Sequence, residues 1–226
     1  MTKDTELAVE ESSEGQENLR LWKSVEKTPP DMTKLVSYGK RKYTTIDPQW
    51  QLRVATALWG PYGDRWGMRN LEYRFIDIHD RDEKRTFLTS SVVLKAEFFY
   101  PSNGKEVSFE MLNDDKWTSG DDTLKKLITN TRSKALSMLG FSADVFLGKF
   151  DDAKYVQTLK ALYDDQDAFV STIATAIRTA KDFNALDKCR ERLEEIVGDG
   201  TLEDVAVAQE LKELITQRKR ELSVKS

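Results

Sequence analysis

Apolar residues recur with period two through the middle of the chain and at helical spacing on either side of it. Leu71, Tyr73 and Phe75 share one face of the stretch Leu71–Ile78. In Phe87–Tyr100 the residues Leu88, Val92, Leu94, Ala96, Phe98 and Tyr100 face one way, with Thr89, Ser91, Lys95 and Glu97 mostly opposite. Val107, Phe109 and Met111 resume the alternation after the turn signal Pro101-Ser-Asn-Gly104. Side chains of a strand point alternately to its two faces, so the pattern predicts a three-stranded antiparallel meander with one wet face. His79–Lys84 reads as its charged hairpin loop. A bare meander is not stable alone and needs a helix over its apolar face. Asp121–Leu139 supplies that helix, with Leu124, Leu127, Ile128, Ala135 and Met138 as its buried stripe. Its cap is expected near Ser119 or Asp121 and its stop at Gly140.

Ahead of the meander, Asp47-Pro48 reads as an N-cap followed by proline in the first helical position. The helix it opens runs to about Trp59, with Leu52, Ala55 and Trp59 facing a core and Gly60 ending it. Lys34–Thr45 is expected to be extended or looped. A short helix is predicted over Asn18–Val25, docking through Leu19, Leu21, Trp22 and Val25 and ended by Lys27-Thr-Pro-Pro30; proline excludes the helical conformation from the residue before it. Residues 1–17 are polar, acidic and expected to be disordered. Beyond Asp151-Asp152 the chain turns helical and acidic. One amphipathic helix is marked by Phe169, Ile173, Ile177 and Ala180, a second by Leu186, Cys189, Leu193 and Ile196, and a third by Leu202, Val205, Leu211, Leu214 and Ile215. The fold class is α+β: a three-stranded antiparallel β-meander packed by helices, a β-β-β-α core, followed by a small α-helical C-terminal region. The expected divisions are a tail over 1–17, a core over 18–150 and a helical region over 151–226.

Charge changes this picture more than composition does. The net charge of −4 argues against a polyanionic partner at first sight. Yet residues 1–17 hold one lysine against six acids, residues 18–150 hold 22 basic against 17 acidic residues, and residues 151–226 hold 12 against 16. A basic middle lies between acidic ends. A single cysteine, Cys189, leaves no intrachain disulfide framework and suits a reducing cytoplasm; with one histidine, His79, it makes a Cys/His zinc site a poor reading. No run approaches the roughly 20 apolar residues of a membrane span, and no secretory-signal pattern opens the chain, so a cytoplasmic location is expected.

The basic excess has a focus. Lys34, Lys40, Arg41, Lys42 and Arg53 cluster with Asp47 as their one acidic neighbour, and Tyr38, Tyr43, Trp50, Tyr62 and Trp66 are interleaved with or close to them. Cations that neutralise phosphates, beside aromatics such as Tyr38 and Tyr43 that can stack on bases, are what single-strand binding requires. The competing expectation is that these aromatics pack in the core and the lysines are simply solvated. Arg132 and Lys134 lie off the buried stripe of the meander's helix. Carboxylates at Asp77, Glu97, Glu110 and Asp114-Asp115 next to Lys116 raise a metal-dependent nuclease as an alternative, although the strand acids fall on predicted wet faces. A non-catalytic adaptor or scaffold protein is the other alternative. No Gly-x4-Gly-Lys-Ser/Thr phosphate loop occurs, which disfavours an ATP-driven enzyme. Cys189 on its apolar helical face reads as packing.

Taken in order, the basic segment, the helix ending Leu58-Trp-Gly60, the turn Tyr62-Gly63…Trp66-Gly67, the meander and Thr129-Asn-Thr-Arg-Ser-Lys-Ala-Leu-Ser-Met-Leu-Gly140 resemble the phage single-strand annealing proteins. Within them the chain is most similar to Sak-type members of the Rad fifty-two superfamily, over about residues 18–150. Its most specific pieces are Thr45-Ile-Asp-Pro48 through Gly67, and Lys134-Ala-Leu136…Leu139-Gly-Phe141 with Ala143-Asp-Val-Phe146 after it. The resemblance implies an ATP-independent DNA-binding protein, neither enzyme nor cofactor user, that anneals single-stranded DNA in recombination and repair. It implies a homo-oligomer, ring or helical filament, with the strand in an outer basic groove and its bases exposed. The family's basic helix maps onto Lys134-Ala135-Leu136, with Arg132 nearby. Ser133 and Ser137 stand where basic residues are common, and the arginine expected early in the first helix falls near Trp50, so that Arg53 would take its place. The acidic C-terminal helices are expected to dock a partner, such as a host single-strand-binding protein or a phage exonuclease.

Overall fold

The computed structural model describes residues 13–39, 41–79, 87–117, 122–198 and 205–225. It is α+β, built around a three-stranded antiparallel sheet. The described chain separates into two compact units, Trp59–Leu139 and the segments on either side of it. These units do not follow the sequence boundary at residue 150, because the chain before the meander packs with the chain after it.

The meander unit contains β3 (Gly67–His79), β4 (Phe87–Ser102), β5 (Lys105–Lys116) and α4 (Asp122–Met138), in strand order β3-β4-β5. Asn103 and Gly104, with φ of 50° and 74°, form the two-residue turn between Ser102 and Lys105. Left-handed values at both positions match the right-handed twist of the flanking strands, and Asn-Gly adopts them at least cost. Pro101 belongs to β4, so the turn is tighter than the four-residue signal suggested. An irregularity between Arg69 and Glu72 inserts one extra residue against β4, and Asn70 there takes φ 54°. That bulge sets Leu71, Tyr73 and Phe75 on the same face as Leu94 and Val92. On this face Val92, Leu94 and Ala96 are buried with Leu127 of α4, and Met68, Trp117, Leu124 and Ile128 pack around them.

Cover by α4 is partial. Leu71, Tyr73, Phe75 and Leu88, expected on the covered face, are exposed; α4 packs on β4 and β5, and β3 runs on beyond its reach. Met138, expected in the buried stripe, is exposed, while Thr131 and Leu136 are buried. Burial of a threonine is satisfied locally, since Thr131 Oγ1 donates to Leu127 O at 2.7 Å. The expected cap at Ser119 or Asp121 lies outside the described residues, as do residues 80–84 of the expected hairpin loop. His79 itself ends β3.

The other unit begins with α1 (Ser13–Asn18) and α2 (Arg20–Val25). Residues 13–17, expected to be disordered, are helical; residues 1–12 lie outside the described chain. Lys34–Thr45 resolves into a two-stranded antiparallel ribbon, β1 (Thr33–Tyr38) and β2 (Arg41–Ile46). Then comes α3 (Pro48–Trp59), capped as its sequence predicts: Gln49 N donates to Asp47 Oδ1 at 2.9 Å.

Residues 140–155 bind back to this N-terminal segment. Ser142 N and Asp144 N donate to Val25 O and Glu26 O, the carbonyls left open where α2 ends. Asp144, at the start of α5 (Ala143–Phe146), accepts in turn from Thr28 N, Thr28 Oγ1 and Tyr155 OH at 2.8–3.0 Å. β2 rests against α5, and Gln51 of α3 donates to Phe141 O at 3.2 Å. The C-terminal helices are α6 (Ala153–Thr179), α7 (Phe183–Gly198) and α8 (Val205–Lys225). Asp152 and Asp182 accept from Lys154 N and Ala185 N at the starts of the first two. Their shared core holds Ile173, Ile177, Leu186, Leu193, Ile196, Leu211 and Ile215, with Phe169, Cys189 and Leu214 against it, as the periodicity predicts. Burial pushes the Cys189 thiol up, consistent with its packing role.

Candidate functional site

The ribbon β1–β2 is short, basic and largely open to solvent, and its register sorts the cluster. Lys34 pairs with Thr45, Val36 with Tyr43, Ser37 with Lys42, and Tyr38 with Arg41. Cross-strand partners share a face and successive residues alternate. Lys34 and Tyr43 therefore stand on one face, and Leu35 and Lys42 on the other. All four are exposed, Tyr43 at 47% and Leu35 at 68%. A cation and an aromatic on one side and a cation with an aliphatic on the other make the ribbon able to meet an anionic chain across either face. Arg41 and Tyr38 contribute their backbone positions in that ladder; Lys40 lies outside the described residues.

Arg53, on the outer side of α3, is also exposed, but its charge is occupied. Its guanidinium donates to Glu210 of α8 at 2.8 Å and lies 5.6 Å from the Trp50 ring centre. Trp50 itself is buried.

The second pair of predicted cations belongs to the meander unit. Lys134 of α4 is exposed, and its Nζ donates to Asn113 Oδ1 on β5 at 2.5 Å. Asn113 Nδ2 donates on to Thr131 Oγ1 at 3.2 Å, so a polar relay pins the helix to the sheet. Arg132 is half-buried and stacks over Tyr62, 5.7 Å from its ring centre. Both residues thus have structural partners, and a phosphate would have to share or displace them.

Most aromatics near the cluster are packing residues. Trp66 is fully buried, donates from Nε1 to Gly60 O at 2.8 Å, and lies edge-on to Trp59 and Tyr62 at 5.7 and 5.1 Å. Tyr62 fixes the turn by accepting from Met68 N.

The acids do not converge. Glu97 and Glu110 face each other across β4 and β5, each held by a cation. Arg69 bonds Glu97 and Glu106 at 2.8 Å, and Lys95 bonds Glu110 at 2.7 Å. The Arg69 guanidinium holds the Glu97 carboxyl down to about 2. Asp77 is on the opposite face, accepting from Ser90 Oγ. Among the described residues no group of three or more His, Cys, Asp or Glu side chains is arranged to hold a metal ion. Nor is any helix among them long and apolar enough to cross a membrane.

Sequence reasoning missed the hold of Glu210 on Arg53, which joins positions 157 apart. No local pattern encodes it. Neither a family model nor a curated protein matches the chain.

Proposed function

We propose that the chain binds single-stranded DNA and anneals complementary strands without ATP or metal, as a phage recombinase of the Sak-type annealing class acting in recombination and repair. The observation that carries this reading is the exposed ribbon β1–β2, with Lys34 and Tyr43 on one face and Lys42 on the other. Lysines screen the phosphates and Tyr43 offers a ring to a base, which is sequence-tolerant because every base has a π-face. Annealing needs no bond to be made or broken. It needs repulsion between two backbones to be lowered while bases remain free to pair. Individual sites of this kind are weak, and assembly into a ring or filament lets them sum along one strand. The acidic helices α6–α8 serve in this reading as the docking module for a partner protein.

Annealing of two complementary oligonucleotides, without nucleotide or divalent ion, tests the proposal. The expected result is acceleration over the protein-free rate, reduced by Lys34→Ala/Lys42→Ala with the fold intact by circular dichroism. Absence of a gel shift with single-stranded DNA at about 50 mM salt would overturn it, since the electrostatic contribution is strongest there.

A further inference from the structure

β3 is an edge strand of 13 residues, bonded to β4 on one side only among the described residues. From Asn70 to His79 every residue is exposed, including Leu71, Tyr73, Phe75, Ile76 and Ile78. Phe75 remains 55% exposed although its ring meets Trp117 edge-on at 5.0 Å. A long apolar edge is a template for another strand, and proteins normally blunt such edges with charged side chains (lysine above all), proline, bulges or cover. From Leu71 onward β3 has no lysine or proline and, among the described residues, no second strand beside it; its charges are Glu72, Arg74 and Asp77, of both signs.

The sequence of that edge states what fits it. Lay β3 antiparallel against β3 of a second copy, with Tyr73 opposite Tyr73. Glu72 then meets Arg74, Leu71 meets Phe75, and each pairing occurs twice by symmetry. The faces agree as well: Leu71, Tyr73 and Phe75 share the α4-covered side of the sheet, and Glu72 and Arg74 share the other. Arg74 has no ion-pair partner among the described residues to compete for it. Shifting the register by one residue places Arg74 directly against Tyr73 or Leu71 and forfeits both charge pairs. Cross-strand aromatic and opposite-charge pairs are the unit of sheet stabilisation, and like charges directly opposite are destabilising.

We infer that β3 is a self-complementary two-fold interface, joining two copies of this chain into a continuous six-stranded sheet centred on Tyr73. A two-fold contact closes on itself, so it builds dimers; a ring or filament needs a second, different surface. The inference stands on the strand alone and does not depend on nucleic-acid binding.

The test is a cysteine placed on the axis. In a Cys189→Ser background, Tyr73→Cys is expected to cross-link to dimer under mild oxidation or with a short bismaleimide, because only the axial residue opposes itself. Leu88→Cys, exposed on β4 away from the edge, is expected to form no covalent dimer under the same treatment. Arg74→Glu should weaken dimerisation about tenfold or more in sedimentation, and Glu72→Lys/Arg74→Glu should restore it. Three results would each overturn the inference: a monomer at about 100 μM, an oligomer in which Tyr73→Cys does not cross-link, or a charge swap that fails to rescue although both variants keep wild-type circular dichroism. A gel shift with single-stranded DNA on the same samples separates this outcome from that of the proposed function.

Discussion

Trp22 lies against Gly140 so closely that a β-carbon on that glycine would sit 2.8–2.9 Å from Cδ2, Cγ and Cα of the tryptophan. Gly140 also holds φ 97°, a backbone conformation that side-chain-bearing residues rarely adopt. One of the obstructing atoms is backbone, so α2 as a whole would have to move. Gly140→Ala is therefore expected to lower the unfolding free energy by about 2–4 kcal/mol, from overpacking and left-handed strain together. Urea denaturation followed by tryptophan fluorescence measures it. Adding Trp22→Ala removes the ring contacts but not the one to Trp22 Cα, so the double variant should recover only part of the expected clash.

Asp144 joins the same pair of segments. It is 1% exposed, and burial pushes its carboxyl up, against the donors Thr28 N, Thr28 Oγ1, Tyr155 OH and Val145 N. Removing the acceptor strands several buried donors at once, and Asp144→Ala is expected to cost about 2–4 kcal/mol. Because the folded-state value lies above the unfolded one, the group's contribution is fully present below the ordinary aspartate range. It is lost as pH rises through the folded value. Thermal melts from pH 3 upward should show Asp144→Asn losing that fall, relative to the parent chain.

Glu97 works in the opposite sense. Its carboxyl is held down to about 2, first by Arg69 and then by Ser108. Its contribution is thus present above the usual glutamate range and lost as pH falls toward 2. Glu97→Gln should flatten the acid limb of the melting profile and leave the region above pH 5 as it is in the parent chain. Melts in matched buffers from pH 2 to 5 check it.

The meander and its helix were legible because strand alternation and helix periodicity act locally, through side chains a few residues apart. Asp47 at α3 and Asn103-Gly104 in the hairpin were legible for the same reason: each is a local backbone requirement met by a local residue. Helical residues 13–17 were not, since their polarity argues for solvent and gives no docking face. The exposure of Leu71, Tyr73 and Phe75 was hidden as well. Alternation tells which residues share a face but not how far a covering helix reaches. At the candidate site the basic ribbon was visible as composition, whereas the sorting of Lys34 from Lys42 awaited a register. The claims of Glu210 on Arg53 and of Asn113 on Lys134 arise between distant segments and carry no sequence signal.

Glu210 gives the final prediction. An exposed pair of this kind contributes little to stability, about 0.2–1 kcal/mol, but it sets a competition. If a phosphate uses Arg53, it must displace the Glu210 carboxylate that bonds the guanidinium at 2.8 Å. Glu210→Gln should then tighten single-stranded DNA binding by about 1.4- to fivefold, the same range expressed as affinity. Arg53→Ala should weaken it and reduce the salt slope by about 0.7, the share of one phosphate contact on a single strand. The double variant should match Arg53→Ala alone, because the carboxylate acts only through that arginine. Fluorescence-anisotropy titrations at several salt concentrations decide the matter: an unchanged affinity in Glu210→Gln, with an unchanged slope in Arg53→Ala, would place the bound strand on the ribbon without α3.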